Sequence, residues 1–377
     1  MNKAIIVPDK FKGSLSSIEV CNIIEKAIHN VKPKCQIVKI PISDGGDGCI
    51  DCFLYAFGGE RQLTFTKGPF NDALSSHYAI LHNKTAVIEM AATAGLVLAK
   101  DHLDPLNAST YGVGEQIKAA INNGAKKVII GLGGSCTNDA GCGLAAALGV
   151  EFYNKDGDWF IPTGKNLQEI SRIDTSNIFD KVAQTQIIVL CDVTNTFCGP
   201  SGAAYVFARQ KGADEYDINV LDENMIKYSK LLKQEYNFDT DFEGAGAAGG
   251  TTVACKLFLN AQVMRGIDAI LDLIDFDHEL EDADVVFTGE GRFDFQSING
   301  KVISGLAKRT YAHNVPLIAI TGQIKDVKKE DYPHGLNEVV SLMKPGATLE
   351  EAIKDTPSNM QTVVEKICLS FISKKIS

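Results

Sequence analysis

The stretch KAIIVPDKFKGSLSSIEVCNIIEKAIHN, residues 3–30, decides the fold class, because a strand, a loop and a helix follow one another in it. Apolar residues run without a break from 4 to 7 and then recur at helical spacing from 18 to 28. Ser14, Ser16 and Ser17 are available to cap the helix. A second apolar strand, CQIVKIPIS at 35–43, comes next. This order predicts the start of a parallel α/β sheet.

The end of the chain repeats this rhythm of strands and helices. Three apolar strands alternate there with helical segments, and the last helix begins near residue 348; the strands are DADVVFTGE (282–290), VPLIAITG (315–322) and NEVVSLM (337–343). Strands that are apolar throughout are typical of a parallel sheet covered by helices on both faces. We therefore predict that two strands from the start and three from the end form one five-stranded, doubly wound sheet.

The middle of the chain has a different pattern. Alternating or β-branched segments with turns between them, such as SSHYAILHN at 75–83, favour antiparallel pairing. Apolar strands at KKVIIGLGG and TQIIVLCDV favour an α/β arrangement nearby. The prediction is a discontinuous domain from residues 1–62 and 284–377, an inserted α/β domain with a mixed sheet at 63–283, and an active-site cleft between them.

Composition narrows the classes of function. A net charge of -10 argues against a broad nucleic-acid surface, which needs clustered Lys and Arg. No segment has the apolar length of a membrane span, and the first residues do not resemble a secretory signal. A cytoplasmic protein with reduced thiols is expected. The Cys49 and Cys52 pair has redox-motif spacing, but its helical setting favours packing.

Five polar, glycine-rich clusters directly follow apolar strands, where open α/β sheets bind their ligands. The first, VPDKFKGSLSS at 7–17, offers Lys10, Lys12 and a helix start to an anion, or is a solvated turn. The second, SDGGDG at 43–48, holds two carboxylates for a metal or a hydroxyl, or is an Asp-rich turn.

The third cluster, GLGGSCTNDAGCG at 131–143, contains no lysine, unlike a P-loop. Its glycines and hydroxyls suit a phosphate nest, with a helix beginning near Asp139 aiming its amide groups at the loop. A packing turn is the alternative. The fourth, LCDVTNTFCGP at 190–200, places Asp192 at a strand end, as a base, an Mg²⁺ ligand or a turn residue.

The fifth cluster, FTGEGRFDFQSINGK at 287–301, crowds acidic and basic side chains into one loop. A structural salt-bridge cluster is the alternative to a binding site here. Signature motifs of hydrolases, zinc peptidases, protein kinases and simple NAD dehydrogenases are missing from the sequence. Acids, cations and glycine loops together favour phosphoryl transfer to a small hydroxylated acceptor.

Taken together, the clusters resemble the type I glycerate kinase family nearly from end to end. The segments that carry the resemblance are PDKFKGSLS (8–16), ISDGGDG (42–48), IEMAATAGL (88–96), STYGVGE (109–115), GLGGSCTNDAGCG (131–143), CDVTNTFCGPSGAA (191–204), QKGA (210–213), GAGAAGG (244–250) and GEGRFDFQSINGK (289–301). The resemblance implies a flavodoxin-like first domain and ATP-dependent phosphorylation of D-glycerate, with 2-phosphoglycerate favoured as product. Ala140 stands where the family usually has Gly.

Motif position also implies roles for individual residues. The expected catalytic residues are Asp192, as general base, with Asp44 and Lys12. Lys12, Ser14 and Arg292 are expected to bind the substrate, and Glu290 and Asp294 to bind Mg²⁺. The expected nucleotide-phosphate contacts are Gly133, Gly134, Ser135, Thr137, Gly246, Gly249 and Lys301. A kinase for another small hydroxy acid, or a sugar-acid sensor without turnover, remains an alternative, and the oligomeric state is left open.

Overall fold

The computed structural model of the chain describes residues 1–42, 48–298 and 302–373. Contacts divide it into two compact units. The first comprises Met1–Asp44, Asp51–Ala56 and Ile267–Ser377, and the second comprises Gly45–Ile50 and Phe57–Gly266. The predicted domain boundaries at 62 and 284, and the predicted cleft, stay predictions.

Helices and strands alternate along most of the chain. The strands are β1 Lys3–Pro8, β2 Gln36–Lys39, β3 Gly59–Lys67, β4 Ala73–Leu81, β5 Thr85–Glu89, β6 Lys127–Gly131, β7 Glu151–Tyr153, β8 Trp159–Phe160, β9 Arg172–Asp174, β10 Gln186–Leu190, β11 Gln262–Met264, β12 Val285–Phe293, β13 Leu317–Ile324 and β14 Leu336–Ser341. The α-helices are α1 Ser17–Val31, α2 Cys49–Phe57, α3 Ala91–Ala94, α4 Tyr111–Asn122, α5 Cys142–Ala147, α6 Glu215–Tyr236, α7 Ala247–Leu259, α8 Gly266–Leu273, α9 Phe276–Leu280, α10 Phe295–Ile298, α11 Val302–Ala312 and α12 Leu349–Ser373. No helix in the described part of the chain is long and apolar enough to cross a membrane.

The first unit contains the predicted five-stranded sheet. Its order is β14-β13-β12-β1-β2, and every neighbouring pair is parallel. Two strands come from the start of the chain and three from its end, so the prediction is confirmed. This order is that of flavodoxin-like sheets, in which the chain reverses direction across the sheet at β1 and β12. Ligands of such sheets bind outside the carboxyl ends of the strands at that point.

Local sequence explains how this unit is assembled. Ser16 caps α1: its hydroxyl accepts from the Glu19 amide at 3.2 Å, and its amide donates to the Glu19 carboxylate at 2.8 Å. Helices α1 and α12 pack on one face of the sheet, since Ile24 of α1, Val364 of α12 and Ile6 of β1 belong to one buried hydrophobic cluster. Ile5 is fully buried on the opposite face, so both faces are covered, as predicted.

The Cys49 and Cys52 side chains lie in α2 and are buried, Cys52 with its thiol 3.4 Å from the Ser17 hydroxyl. The interpretation of this pair as packing residues is confirmed.

The second unit contains the predicted mixed sheet, in the order β11-β10-β6-β5-β4-β3. The pairs β3 with β4 and β4 with β5 are antiparallel, whereas the remaining pairs are parallel. Its core joins the sheet to α4 and α7 through buried aliphatic residues such as Ile117, Ile130 and Leu259.

Two features of the second unit were not predicted. The short strands β7, β8 and β9 form a separate antiparallel sheet of three strands, too short to show a clear pattern in the sequence. Helix α7 is interrupted near its start, because Ala248, Gly249 and Gly250 have φ angles of 50°, 67° and 87°. Regular helix therefore begins only after this left-handed turn.

Candidate active site

A cavity of about 430 Å³ in the first unit lies at the carboxyl ends of β1, β12 and β13. This is the point where a flavodoxin-like sheet places its ligand. The charged and hydroxyl side chains around it include Asp9, Lys12, Ser14, Glu290, Arg292 and Asp294. The structure thus brings together five residues that the sequence analysis assigned to substrate or metal, from segments near both ends of the chain.

Strand geometry accounts for the position of the acidic and basic groups. Glu290 and Arg292 lie two residues apart in β12, so their side chains point to the same face, and Asp294 follows directly. Arg292 donates from Nε to Asp294 Oδ2 at 2.8 Å, which orients the guanidinium while leaving its terminal nitrogens for a carboxylate. Ser14 donates its hydroxyl to the Ile353 carbonyl at 3.0 Å and so ties the loop to α12.

The donor set in this cavity fits Mg²⁺ only in part. Carboxylate oxygens are the ligands that Mg²⁺ prefers, and Glu290 is largely buried beside the cavity. Asp294, however, already accepts from the Arg292 cation. Among the described residues no three His, Cys, Asp or Glu side chains are grouped to hold a metal. Asp9, which directly follows β1, is a further carboxylate at this cavity that the sequence analysis did not single out.

The second unit carries the other candidate residues on loops after neighbouring strands. The loop 131–139 follows β6, and Asp192 follows β10; the two strands pair in parallel with Gly131 opposite Leu190. Parallel neighbours end at the same edge of a sheet, so both segments lie on that edge. Asp192 is exposed, and its Oδ1 accepts from the Gly266 amide at 3.0 Å.

One prediction about the loop is wrong. The helix expected near Asp139 begins at Cys142, and the Asp139 carboxylate accepts from the amides of Gly141 and Gly143 at 3.1 and 3.2 Å. It also accepts from the Thr110 amide and hydroxyl, both at 2.8 Å. Burial raises the pKa of Asp139, while these hydrogen bonds act in the opposite sense. Since the carboxylate occupies the amides at the helix start, that terminus is not available to phosphate.

The two glycines of the turn 244–250 that were predicted to contact phosphate, Gly246 and Gly249, connect this turn to the loops that follow β10 and β6. The Gly246 amide donates to the Asn195 carbonyl at 3.0 Å, and the Ala140 amide donates to the Gly249 carbonyl at 3.0 Å. A Cβ atom added at Gly249 would lie 2.2 Å from the Thr137 carbonyl oxygen. A side chain at this position is therefore excluded by the loop 131–139 itself.

Ser135 and Thr137 are buried, and a lysine from elsewhere in the chain meets both of them. Lys211 Nζ donates to Ser135 Oγ at 3.0 Å and to the Thr137 carbonyl at 2.6 Å. The Lys211 side chain is 2% exposed, and burial lowers the pKa of its ammonium to about 8. The segment QKGA carried part of the family resemblance, but nothing in its sequence pointed to this contact.

Of the predicted site residues, Asp44 and Lys301 lie outside the described residues. The other twelve fall into two groups, one around the cavity of the first unit and one on the loops of the second.

A flavodoxin-like sheet with a charged cavity, and a second sheet carrying glycine-rich hydroxyl loops, are features of a small-molecule kinase of the α/β class. Comparisons with known proteins make this specific. The sequence profile of the glycerate kinase family matches residues 4–372, and the chain belongs to that family.

Related proteins match over nearly their whole length. A glycerate kinase from Bacillus cereus is 41% identical over 369 residues, which is 97% of each chain. A glycerate 2-kinase from Escherichia coli is 37% identical over 361 residues, or 95% of each. The crystal structure of a candidate glycerate kinase 2 from Salmonella typhimurium LT2 has a TM-score of 0.88 at 35% identity, covering 100% of both chains. The fold and the kinase class are thereby established together.

Proposed function

We propose that this kinase transfers the γ-phosphoryl group of ATP to a hydroxyl of D-glycerate and that the product is 2-phosphoglycerate. The observation that carries the proposal is the cavity at the switch point of the first sheet, which is lined by three cationic side chains, Lys10, Lys12 and Arg292, and by three carboxylates. A three-carbon hydroxy acid matches that chemistry with its one carboxylate and its hydroxyls. The Escherichia coli relative named as a glycerate 2-kinase supports the choice of the 2-phosphate.

Lys12 and Arg292 are the proposed partners of the glycerate carboxylate. The Arg292 guanidinium is held by Asp294 through Nε, so its planar fork is oriented before a ligand arrives. Lys12 adds an exposed ammonium on the loop after β1. Ser14 is the proposed hydroxyl contact of the substrate, although its proton is directed at Ile353.

Asp192 is the proposed general base, which takes the proton of the acceptor hydroxyl as the new phosphorus–oxygen bond forms and the bond to ADP breaks. The proposed contacts of the nucleotide phosphates are Gly133, Gly134, Ser135 and Thr137, with Gly246 and Gly249 supporting the loop. Bound Mg²⁺ would neutralise charge on phosphate oxygens, and Glu290 is its best-placed protein ligand, with Asp294 second.

A coupled assay of ADP release tests the proposed reaction. D-Glycerate, L-glycerate, glycerol and hydroxypyruvate are compared side by side with ATP and Mg²⁺, and we expect turnover with D-glycerate above the other three. Phosphorus NMR of the product distinguishes the 2-phosphate from the 3-phosphate. Turnover with another acceptor would assign a different hydroxy acid or polyol, and no turnover with any acceptor would favour a sensor of the same fold.

Two substitutions test the proposed roles within that reaction. Asp192→Asn removes the base, and we expect kcat to fall about 100-fold or more with folding unchanged. Near-normal turnover of this variant would remove Asp192 from the base role. Ser135→Leu fills the loop, and its KM for ATP should rise more than its KM for glycerate.

A further inference from the structure

The loop 131–139 has no lysine or arginine of its own, but Lys211 supplies a cation to it from a distant segment. Its Nζ atom contacts the Ser135 hydroxyl oxygen at 3.0 Å and the Thr137 carbonyl at 2.6 Å. The side chain reaches the loop from a short 3-10 turn, Arg209–Lys211, which Gly212 ends with a φ of 101°. The contact therefore joins the segment QKGA (210–213) to the loop 131–139, two segments that the sequence analysis treated separately.

The hydrogen bond from Lys211 determines the orientation of the Ser135 hydroxyl. An ammonium has only donors, so Ser135 Oγ accepts from Lys211. The hydroxyl hydrogen of Ser135 then has to point away from Lys211, and it can be donated to a ligand at the loop. Ser135 itself is 7% exposed, and it directly follows Gly134, which is exposed. Such a charge-assisted bond is stronger than one between neutral groups and holds this orientation.

A comparison with Lys3 shows that the Lys211 charge is unusually placed. Lys3 is also buried, at 6% exposure, but it forms ion pairs with Glu279 and Asp282. Lys211 forms no ion pair with any carboxylate in the described part of the chain, and its partners are a hydroxyl and a carbonyl. The Asp139 carboxylate is near enough to favour the Lys211 charge but makes its hydrogen bonds elsewhere, so the Ser135 hydroxyl and the Thr137 carbonyl have to compensate for the water that the ammonium loses on burial.

We propose that Lys211 is a positioning residue for the nucleotide phosphates: anchored on the Thr137 carbonyl, it holds the Ser135 hydroxyl so that the hydroxyl hydrogen can be donated to phosphate. This inference rests on the proposed function of the loop 131–139. Lys211 acts through Ser135, and the loop therefore binds phosphate without a lysine in its own sequence.

The first test compares Lys211→Met and Lys211→Gln with the wild-type enzyme. Loss of a charged hydrogen bond predicts that Lys211→Met raises the KM for ATP about 10-fold or more, while the KM for glycerate changes less than about twofold. Lys211→Gln keeps a donor without the charge and should lie between wild type and Lys211→Met. Lys3→Met is the matched control, since it also removes a buried lysine, and its KM for ATP should stay at the wild-type value.

A double-mutant cycle with Ser135→Ala separates positioning from general structural support. If Lys211 acts through Ser135, adding Lys211→Met to Ser135→Ala raises the KM for ATP by no more than about threefold, because the shared interaction is already lost. Independent effects that multiply in the double variant would overturn the proposed mechanism. ADP binding measured by calorimetry gives the same comparison without turnover.

The outcomes also separate this inference from the proposed function. A wild-type chain that does not phosphorylate glycerate from ATP refutes the proposed function. An active wild type with a folded Lys211→Met variant whose KM for ATP is unchanged refutes the inference alone. Where the Lys211 variants do not fold, Ser135→Ala tests the contact from the other side: a raised KM for ATP supports the inference and an unchanged one overturns it.

Discussion

The Lys211 ammonium is a single group whose charge state should affect both stability and nucleotide binding. Burial lowers its pKa to about 8 from 10.5, although Cys136 and Asp139, the titratable groups beside it, favour the charged form. Between these two values the folded protein has released a proton that the unfolded chain still holds. The contribution of Lys211 to the free energy of unfolding therefore rises with pH across this window.

Nucleotide binding should respond to pH in the opposite sense. Above about pH 8 the Lys211 charge is lost, so we expect the KM for ATP to rise while the protein gains the stability described for this group. The KM for ATP and the free energy of unfolding are measured from pH 7 to 9.5 in the wild type and in Lys211→Met. The difference between the two proteins separates the titration of Lys211 from that of the thiols and phenols, which both proteins share. Identical pH profiles for the two proteins would show that Lys211 does not titrate there.

Ala140 adopts a left-handed backbone conformation that suits glycine better than alanine. Its φ is 54°, and its side chain is fully buried. A left-handed conformation costs an L-residue about 1–2 kcal/mol. Ala140→Gly relieves that strain but loses a buried methyl, worth about 0.8 kcal/mol, and adds entropy to the unfolded chain. We expect the free energy of unfolding to change by less than about 1 kcal/mol.

Ala145→Gly is the control for that measurement. Ala145 is buried in the same cluster but lies in α5 with helical backbone, so no strain is relieved. Its substitution should cost about 2 kcal/mol, the sum of the methyl and the helix propensity of glycine. Urea denaturation of both variants checks the difference. Equal losses of stability in the two would show that Ala140 is not strained.

At the level of single residues, the sequence predicted the site residues that lie near the carboxyl ends of strands. Asp192 was found because it follows an apolar strand, and strand ends face ligands. Glu290 and Arg292 were found for the same reason, but the loop expected for them is wrong, because β12 continues to Phe293 and contains both. Lys211 could not be found this way, since it lies 76 positions from Ser135 and in no strand-loop pattern. Asp139 was placed in the loop, but its role as acceptor for Thr110 depends on tertiary packing that the sequence does not show.

At the scale of the elements, the turn at the start of α7 packs closely against the loop 131–139 at Gly249. Gly249 has a φ of 67°, and an added Cβ would lie 2.2 Å from the Thr137 carbonyl oxygen and 2.5 Å from Asn138 Cα. Gly249→Ala should therefore cost about 3 kcal/mol or more, because strain and overlap add. It should also raise the KM for ATP, since the displaced Thr137 carbonyl is an acceptor for Lys211.

Gly124→Ala provides the comparison for this element. Gly124 also has a positive φ, 91°, but no atom lies within 4 Å of an added Cβ. Only the backbone strain remains, about 1–2 kcal/mol, and the KM for ATP should not change. Thermal unfolding together with ATP kinetics measures both variants. Equal losses of stability would mean that the loop moves aside for the new methyl group.

Helices and strands were predictable from the sequence wherever the apolar residues followed a single clear period. The apolar strands of the five-stranded sheet and the capped helix α1 show clear periods, and the structure has them where expected. The three-stranded sheet has strands of two or three residues, which cannot display a period. The break in α7 depends on contacts of Gly249 and Gly250 with residues far along the chain.

For the whole molecule, the discontinuous first unit follows from the parallel sheet. Parallel neighbours need long crossover connections, and the connection from β2 to β12 contains the whole second unit. The position of the boundary is harder to predict. Residues 59–62 are mostly polar and exposed, yet they belong to β3, and α8 has the same amphipathic pattern as helices of either unit.

Two fragments test where the inserted domain begins and ends. We expect residues 57–266 to fold cooperatively, because they contain all of β3 and the complete core of the six-stranded sheet. Residues 63–283 would lose four of the nine residue pairs between β3 and β4 and would carry α8 without Gly305, against which Ile267 packs. Circular dichroism during urea denaturation compares the two. A more stable 63–283 fragment would instead support the boundaries predicted from the sequence.

The same fragment tests whether the loops of the second unit hold the nucleotide by themselves. A folded 57–266 fragment keeps Ser135, Thr137 and Lys211, so we expect calorimetry to detect ADP binding to it. It lacks Lys12 and Arg292, so D-glycerate should not bind. Within the fragment, Lys211→Met should weaken ADP binding about as much as in the full chain, since its partners all lie within residues 57–266. A folded fragment that does not bind ADP would contradict the placement of the phosphates on these loops.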